Sequence, residues 1–204
     1  MQFKNFSLIS YLAAIVLIVI LSFFNLANSL FFGVKMVYLI LIILFILTYF
    51  LNYLDKINYD YFKFNKESLQ LNLIFFVPII FVMLIFYLNG WYQKGDLSNL
   101  NLGIPYPTFP IFYVLISVPL QQSLIFGDLL NKLSPKFSKI IAIFASTVFY
   151  SLMHSFYPQP FNLLILTLVA GLIWAYISYR TRSIFGNLIS HSIVGLLAMM
   201  MNLA

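Results

Sequence analysis

The sequence predicts an all-α integral membrane protein, and three observations carry that prediction. Hydrophobic residues make up 63% of the chain and charged residues only 8%, against roughly 45–50% and 25% in soluble domains. The apolar residues fall in long unbroken runs rather than short alternating ones, which selects helices over a barrel where no water can satisfy the backbone. Lysine and arginine concentrate in the connections between runs, as they do at one face of a membrane. No Gly/Ser linker, charged tail or clear repeat divides the chain, so residues 1–204 read as one membrane domain.

Seven runs approach the roughly 20 residues that a helix needs to cross a bilayer. The first, Leu8 to Leu26, follows Lys4 and has an apolar core from Leu8 to Phe24. That core exceeds the roughly 7–15 residues of a secretory signal, so an uncleaved anchor is expected. The second, Leu30 to Leu54, is long enough to tilt and carries Lys35 just inside. A linker from Asp55 to Glu67 mixes charges with Tyr59, Tyr61 and Phe64, rings suited to headgroup depth. The third run is Leu69 to Leu88, followed by a loop from Asn89 to Pro110 whose glycines and prolines read as a solvated connector. The fourth, Phe109 to Leu130, contains Pro119, which lacks the helical N–H and should kink the helix toward Leu115. The fifth, Ile140 to Phe156, is the shortest; Phe161 to Tyr179 and Ser183 to Leu203 complete the set.

Basic residues then orient the bundle. Lys4, the Lys56, Lys63 and Lys66 linker, the Lys132, Lys136 and Lys139 linker, and Arg180 with Arg182 alternate with connections in which only Lys94 is basic. The positive-inside rule puts the N-terminus in the cytoplasm and the C-terminus on the far side. The net charge of +6 is therefore a topology signal with some attraction to anionic lipid, and calls for no nucleic acid. The chain has no cysteine, which removes disulfides, thiol catalysis and lipidation at that residue.

Against this background the polar residues inside the runs stand out, because such groups are expensive in hydrocarbon and are functional candidates. Gln121 and Gln122 sit side by side in the fourth run, and the chain's two histidines, His154 and His191, lie in the fifth and seventh. Two readings fit the glutamines: interhelical glue worth roughly 0.6 kcal/mol per contact, or groups facing a ligand. His154 stands near the outer end of its run, where an interfacial histidine and a site member are both consistent. Ser183, Asn187, His191 and Gly195 recur every fourth residue on one helical face, either a packing seam or a site wall. Asp128 with Lys132 at i+4 reads as a solvated ion pair.

Taken in order, the stretch Ser117 to Gly127, the run Tyr150 to His154 and the run Ser183 to His191 resemble the CAAX-protease and bacteriocin-processing family (CPBP, also called Abi) of intramembrane glutamic endopeptidases. The motifs of that family are Glu-Glu-x-x-x-Arg, Phe-x-x-x-His, and His-x-x-x-Asn or Asp. The likeness covers residues 109–203, with 1–108 as three generic spans and their loops. It implies that Gln121, Gln122, His154 and His191 occupy catalytic positions, Tyr150 the aromatic one and Gly127 a matching glycine. Phe126 stands at the Arg position and Gly195 at the Asn or Asp position. A family glutamate would act as general base on water, a role that needs a titrating carboxylate. Glutamine does not titrate, although it can position water or donate to an oxyanion.

The resemblance also implies a multi-pass protein of a bacterial-type plasma membrane and no cofactor. Two histidines without an adjacent cysteine or carboxylate make a poor zinc set, so no metal is expected. The resulting expectation is a catalytically degenerate CAAX-protease-like pseudoenzyme that binds or scaffolds within the membrane. Its partners would be the lipid bilayer and another membrane protein or a lipidated or amphipathic peptide. An active endopeptidase with an atypical site is the alternative, and a lipid or small-molecule carrier the second.

Overall fold

A computed structural model describes residues 30–31, 34–54, 60–89, 108–154 and 160–201, with isolated positions before them. Most of the expected first span, most of the Asn89 to Pro110 loop with Lys94, and the linker stretch 55–59 with Tyr59 lie outside the described residues.

The described chain is helical. Leu30–Phe31 and Val34–Lys35 form a two-residue antiparallel ladder, β1 and β2, so the second apolar run becomes helix later than Leu30, as α1, Met36–Leu54. Helix α2, Lys66–Leu88, starts ahead of the expected Leu69, because the Asn65 side chain caps it by accepting from the Ser68 N–H at 2.9 Å. Helix α3, Pro110–Leu133, alternates α and π turns and extends beyond the expected Leu130. Helix α4, Lys139–Leu152, is capped by Ser138 and stops short of Phe156, since the His154 N–H bonds the Ser151 carbonyl in a tighter turn. Helix α5, Pro160–Thr181, opens on proline, whose missing N–H costs nothing in a first turn. Helix α6 is Phe185–Met200.

Three of these helices, Lys66–Leu88, Pro110–Leu133 and Leu163–Thr181, are long and apolar enough to cross a membrane; three others are apolar and shorter. α4 packs along α5 and α2 along α6, with α3 running through the middle, where every residue from Gln121 to Leu130 is buried. A stretch buried all round has no outward-facing stripe, which is why its polar residues need internal partners, whereas the first half of α3 exposes Ile111, Leu115 and Ile116.

Polar contacts gather the basic connections at one end of the bundle. Ser183 Oγ donates to the Lys63 carbonyl at 2.8 Å, Asn65 Nδ2 to the Thr181 carbonyl at 3.2 Å, and Arg182 to Asn131 Oδ1 at 2.7 Å. Tyr61 lies over Gly127: a Cβ there would stand 2.9 Å from its ring, so glycine is what admits the phenol. Beneath it Asp128 pairs with Lys132 at 2.7 Å. The pair is buried, not solvated as its position near the helix end suggested, because Asn52 of α1 reaches the same carboxylate at 2.7 Å and the Tyr61 linker covers that end. Burial, and then the Asp128 charge, pushes the ionisation of the Tyr61 phenol above its usual range.

Candidate functional site

The site begins with the backbone of α3. Pro119 offers no N–H, and its ring crowds the carbonyl four residues back. The preceding turns widen into a π-helix, Tyr113–Ser117, in which the Val118 N–H reaches the Tyr113 carbonyl. A second π stretch, Ser123–Leu129, comes after the glutamines and closes on the Ile125 carbonyl. Each π turn inserts a residue and rotates the rest of the helix, an arrangement frequent at functional sites. The expected local kink is thus distributed over two widened turns.

This backbone separates the two glutamines. Gln122 is fully buried and its Nε2 lies 2.9 Å from His191 Nδ1. Gln121 turns back along its own helix, where Nε2 donates to Ser117 Oγ at 2.9 Å. His191 is held from the other side by Tyr150, whose Oη is 3.0 Å from Nε2. With the amide nitrogen at Nδ1, the ring proton belongs on Nε2 and points at the phenol. His154 closes the group: its Nδ1 donates to the Tyr150 carbonyl at 2.9 Å, and its ring meets that of Tyr150 edge-on at 4.7 Å. Gln122, His191, Tyr150 and His154 therefore converge, whereas Gln121 does not join them.

The remaining motif positions are packing. Phe126 lies against Tyr150 at 5.3 Å and Trp174 at 6.4 Å between ring centres. It places an apolar ring where the family carries an arginine. Trp174, at 4.5 Å from the His191 ring, forms the opposite wall. Gly195 is occupied from outside its own helix: a Cβ there would come within 2.6 Å of Tyr113 Cζ and closer still to the hydroxyl. Tyr113 of α3, edge-on to His191 at 6.1 Å, fills the space in which an Asn or Asp side chain would start.

Asn187, one turn before His191, serves a polar network distinct from the histidines. Its Oδ1 accepts from Asn72 Nδ2 at 2.9 Å, and its Nδ2 donates to Ser178 Oγ at 2.8 Å and to the Trp174 carbonyl at 3.1 Å. Ser190 donates to Asn72 Oδ1 at 2.7 Å and accepts from Trp174 Nε1 at 2.8 Å. Trp174, and with it one wall around His191, is thereby fixed by hydrogen bonds within this network. Sequence reasoning missed Asn72, Tyr113 and Trp174. Asn72 carried a usable signal, an amide inside an apolar run; the two aromatics did not differ from ordinary core residues.

The histidines face a cavity of about 500 Å³ with an almost wholly apolar lining, at whose polar end stand Tyr113, Tyr150, His154 and His191. Neither glutamine lines it, so Gln122 reaches it only through His191. The far wall includes Val82 of α2 with Leu166 and Val169 of α5, about half exposed on the outer surface of the bundle. The cavity therefore borders the apolar outer surface of the bundle. Among the described residues, the carboxylates Asp60, Glu67 and Asp128 are each in an ion pair with a basic residue, and no cluster of three His, Cys, Asp or Glu is suited to a metal. The arrangement can hold an apolar ligand and offer its polar end hydrogen bonds; among the described residues it places no carboxylate beside the histidines.

Residues 103–197 match the family described as type II CAAX prenyl endopeptidase Rce1-like. No curated protein and no solved structure matches the chain. The matched segment contains α3 to α5 and most of α6, and with them every motif position; α2, which supplies Asn72 and part of the cavity wall, precedes it. Residues 103–197 are thus similar to the Rce1-like family of type II CAAX prenyl endopeptidases, and they carry two of the three described helices that are long and apolar enough to cross a membrane.

Proposed function

We propose that this protein has lost glutamate-dependent peptide hydrolysis and uses the cavity to bind the apolar portion of a lipidated or amphipathic peptide or of a membrane-protein partner. The observation that carries the reading is the contact of Gln122 with His191. An amide stands at the base position, the imidazole beside it is engaged at both nitrogens by Gln122 and Tyr150, and Phe126 supplies no charge. General-base assistance contributes roughly 10²–10⁴-fold, and an amide cannot provide it.

Purified protein is expected to cleave no prenylated or signal-like peptide above background. Gln122→Glu alone should not restore cleavage, because Phe126 and Tyr113 still occupy the places of the supporting groups. A fluorescent prenylated peptide should nevertheless bind, with affinity falling about tenfold, or 1.4 kcal/mol, when His154 and His191 are both replaced by alanine. Wild-type cleavage abolished by His191→Ala would overturn this reading in favour of an active endopeptidase.

The proposal places the chain in the membrane with seven spans and a cytoplasmic N-terminus. Gathering of the Lys63, Asn131 and Arg182 regions at one end of the bundle supports that order. Single cysteines replacing Lys66 and Lys136 should react only with reagent supplied from the cytoplasmic side, and one replacing Lys94 only from the other. Labelling at 66 and 94 from the same side would exclude seven spans in this order.

A further inference from the structure

Away from the cavity, at the end of the bundle where the basic connections meet, two cations share one aromatic ring. Lys139, the first residue of α4, holds its ammonium 5.6 Å from the Tyr179 ring centre and 5.1 Å from that of Tyr176. The Arg182 guanidinium lies 5.4 Å from the same Tyr179 ring and donates to Asn131 Oδ1. Cation–π contacts draw both charges to the ring but neutralise neither.

No carboxylate among the described residues compensates them. Glu67, close by, is taken by Arg180 at 2.6 Å; Asp60 pairs with Lys63, and Asp128 with Lys132. Both side chains are exposed, so they are open to a ligand from outside. The local backbone is arranged at a cost. Arg182 has φ of 55°, a left-handed conformation in which a residue with a Cβ is less stable by roughly 1–2 kcal/mol, at a helix end where glycine is the usual choice. Lys139 adds positive charge where the α4 dipole is already positive.

We propose that Lys139 and Arg182, flanking Tyr179, form a binding site for a phosphate group. An anion there neutralises two charges that the protein leaves uncompensated among its described residues, and a guanidinium matches phosphate geometry. The phosphate can come from an anionic phospholipid headgroup, which the end of a membrane bundle meets directly, or from a soluble phosphate ion.

Thermal unfolding of the purified full chain in neutral detergent would be followed with added phosphatidylglycerol, phosphatidylcholine or inorganic phosphate. A stabilising shift with phosphatidylglycerol and not with phosphatidylcholine identifies a lipid source; an equal shift with inorganic phosphate identifies a free anion. Lys139→Gln with Arg182→Gln should raise the concentration needed for half the shift at least tenfold, whereas Lys63→Gln should leave it unchanged. Arg182→Gly separates this from a folding defect: it removes the backbone penalty and should unfold no earlier than wild type without ligand, yet respond less to the anion. An undiminished response in the double variant, or equal shifts with the two lipids and none with inorganic phosphate, would overturn the site.

Discussion

Gly195→Asn is expected to destabilise the protein severely, although it restores the residue type that the family resemblance places there. The first atom of the new side chain would meet Tyr113 Cζ at 2.6 Å and Cε1 at 2.9 Å. Tyr113 is 4% exposed and packs edge-on against His191, so the ring can yield only into the cavity that it lines, and moving there gives up its packing on His191. Overpacking of a well-filled core costs roughly 1–3 kcal/mol and occasionally more; for a chain of this size each kcal/mol lowers the unfolding temperature by roughly 2–4 °C. A fall of about 10 °C is therefore expected in detergent, at the upper end of that scaling. Tyr113→Ala alone should also destabilise, by opening a cavity, but the double variant should be more stable than the sum of the two losses by more than about 1 kcal/mol, since each change relieves the other. Simple additivity, or a Gly195→Asn protein as stable as wild type, would show that the ring and the glycine are not a compensating pair.

That pairing marks the boundary of what the sequence disclosed. The ordered motifs pointed to Gln122, His154 and His191, and the fold joins them through Tyr150, because Tyr150 sits four residues before His154 while its hydroxyl meets His191 of α6, which in turn meets Gln122 of α3. Gln121 was expected beside Gln122, but the two adjacent amides diverge, one to His191 and one to Ser117. Glycine at position 195 read as a missing polar group. Its actual occupant comes from α3, more than eighty residues earlier, and no local pattern could reveal a side chain entering from another helix.

Helix positions were legible for a related reason. Long apolar runs marked α1 to α6, while the ends moved where caps, the β1–β2 ladder or a tight turn satisfied backbone groups that hydrophobicity does not register. The π turns of α3 were foreshadowed only by Pro119. Asn187 belonged to the stripe that was noticed, yet its purpose depended on Asn72, a residue outside the motif-bearing half. The distinction between a solvated and a buried Asp128–Lys132 pair was likewise invisible, because it is decided by Asn52 and by the linker carrying Tyr61.

Lys132→Met should consequently cost more than the loss of a surface ion pair. Exposed i,i+4 pairs contribute only about 0.3–0.5 kcal/mol, but Asp128 and Lys132 have side chains 1% and 6% exposed. Removing the ammonium leaves a buried carboxylate to which Asn52 still donates but whose charge has lost its salt-bridge partner, and breaking such a pair from one side typically costs roughly 3–5 kcal/mol. The unfolding temperature should fall by at least about 6 °C, by the scaling of roughly 2–4 °C per kcal/mol. Asp128→Asn with Lys132→Met should recover most of that loss, because the buried charge is gone and the amide can still meet Asn52. The comparison also reports on α1, which the Asn52–Asp128 hydrogen bond ties to the central helix: thiol labelling of a single cysteine introduced on α1 should rise when Lys132→Met is added and return toward its starting level in the double variant. A Lys132→Met protein that unfolds within about a degree of wild type, well below the shift that scaling predicts, would mean that water reaches the pair and screens it, as the sequence alone had suggested.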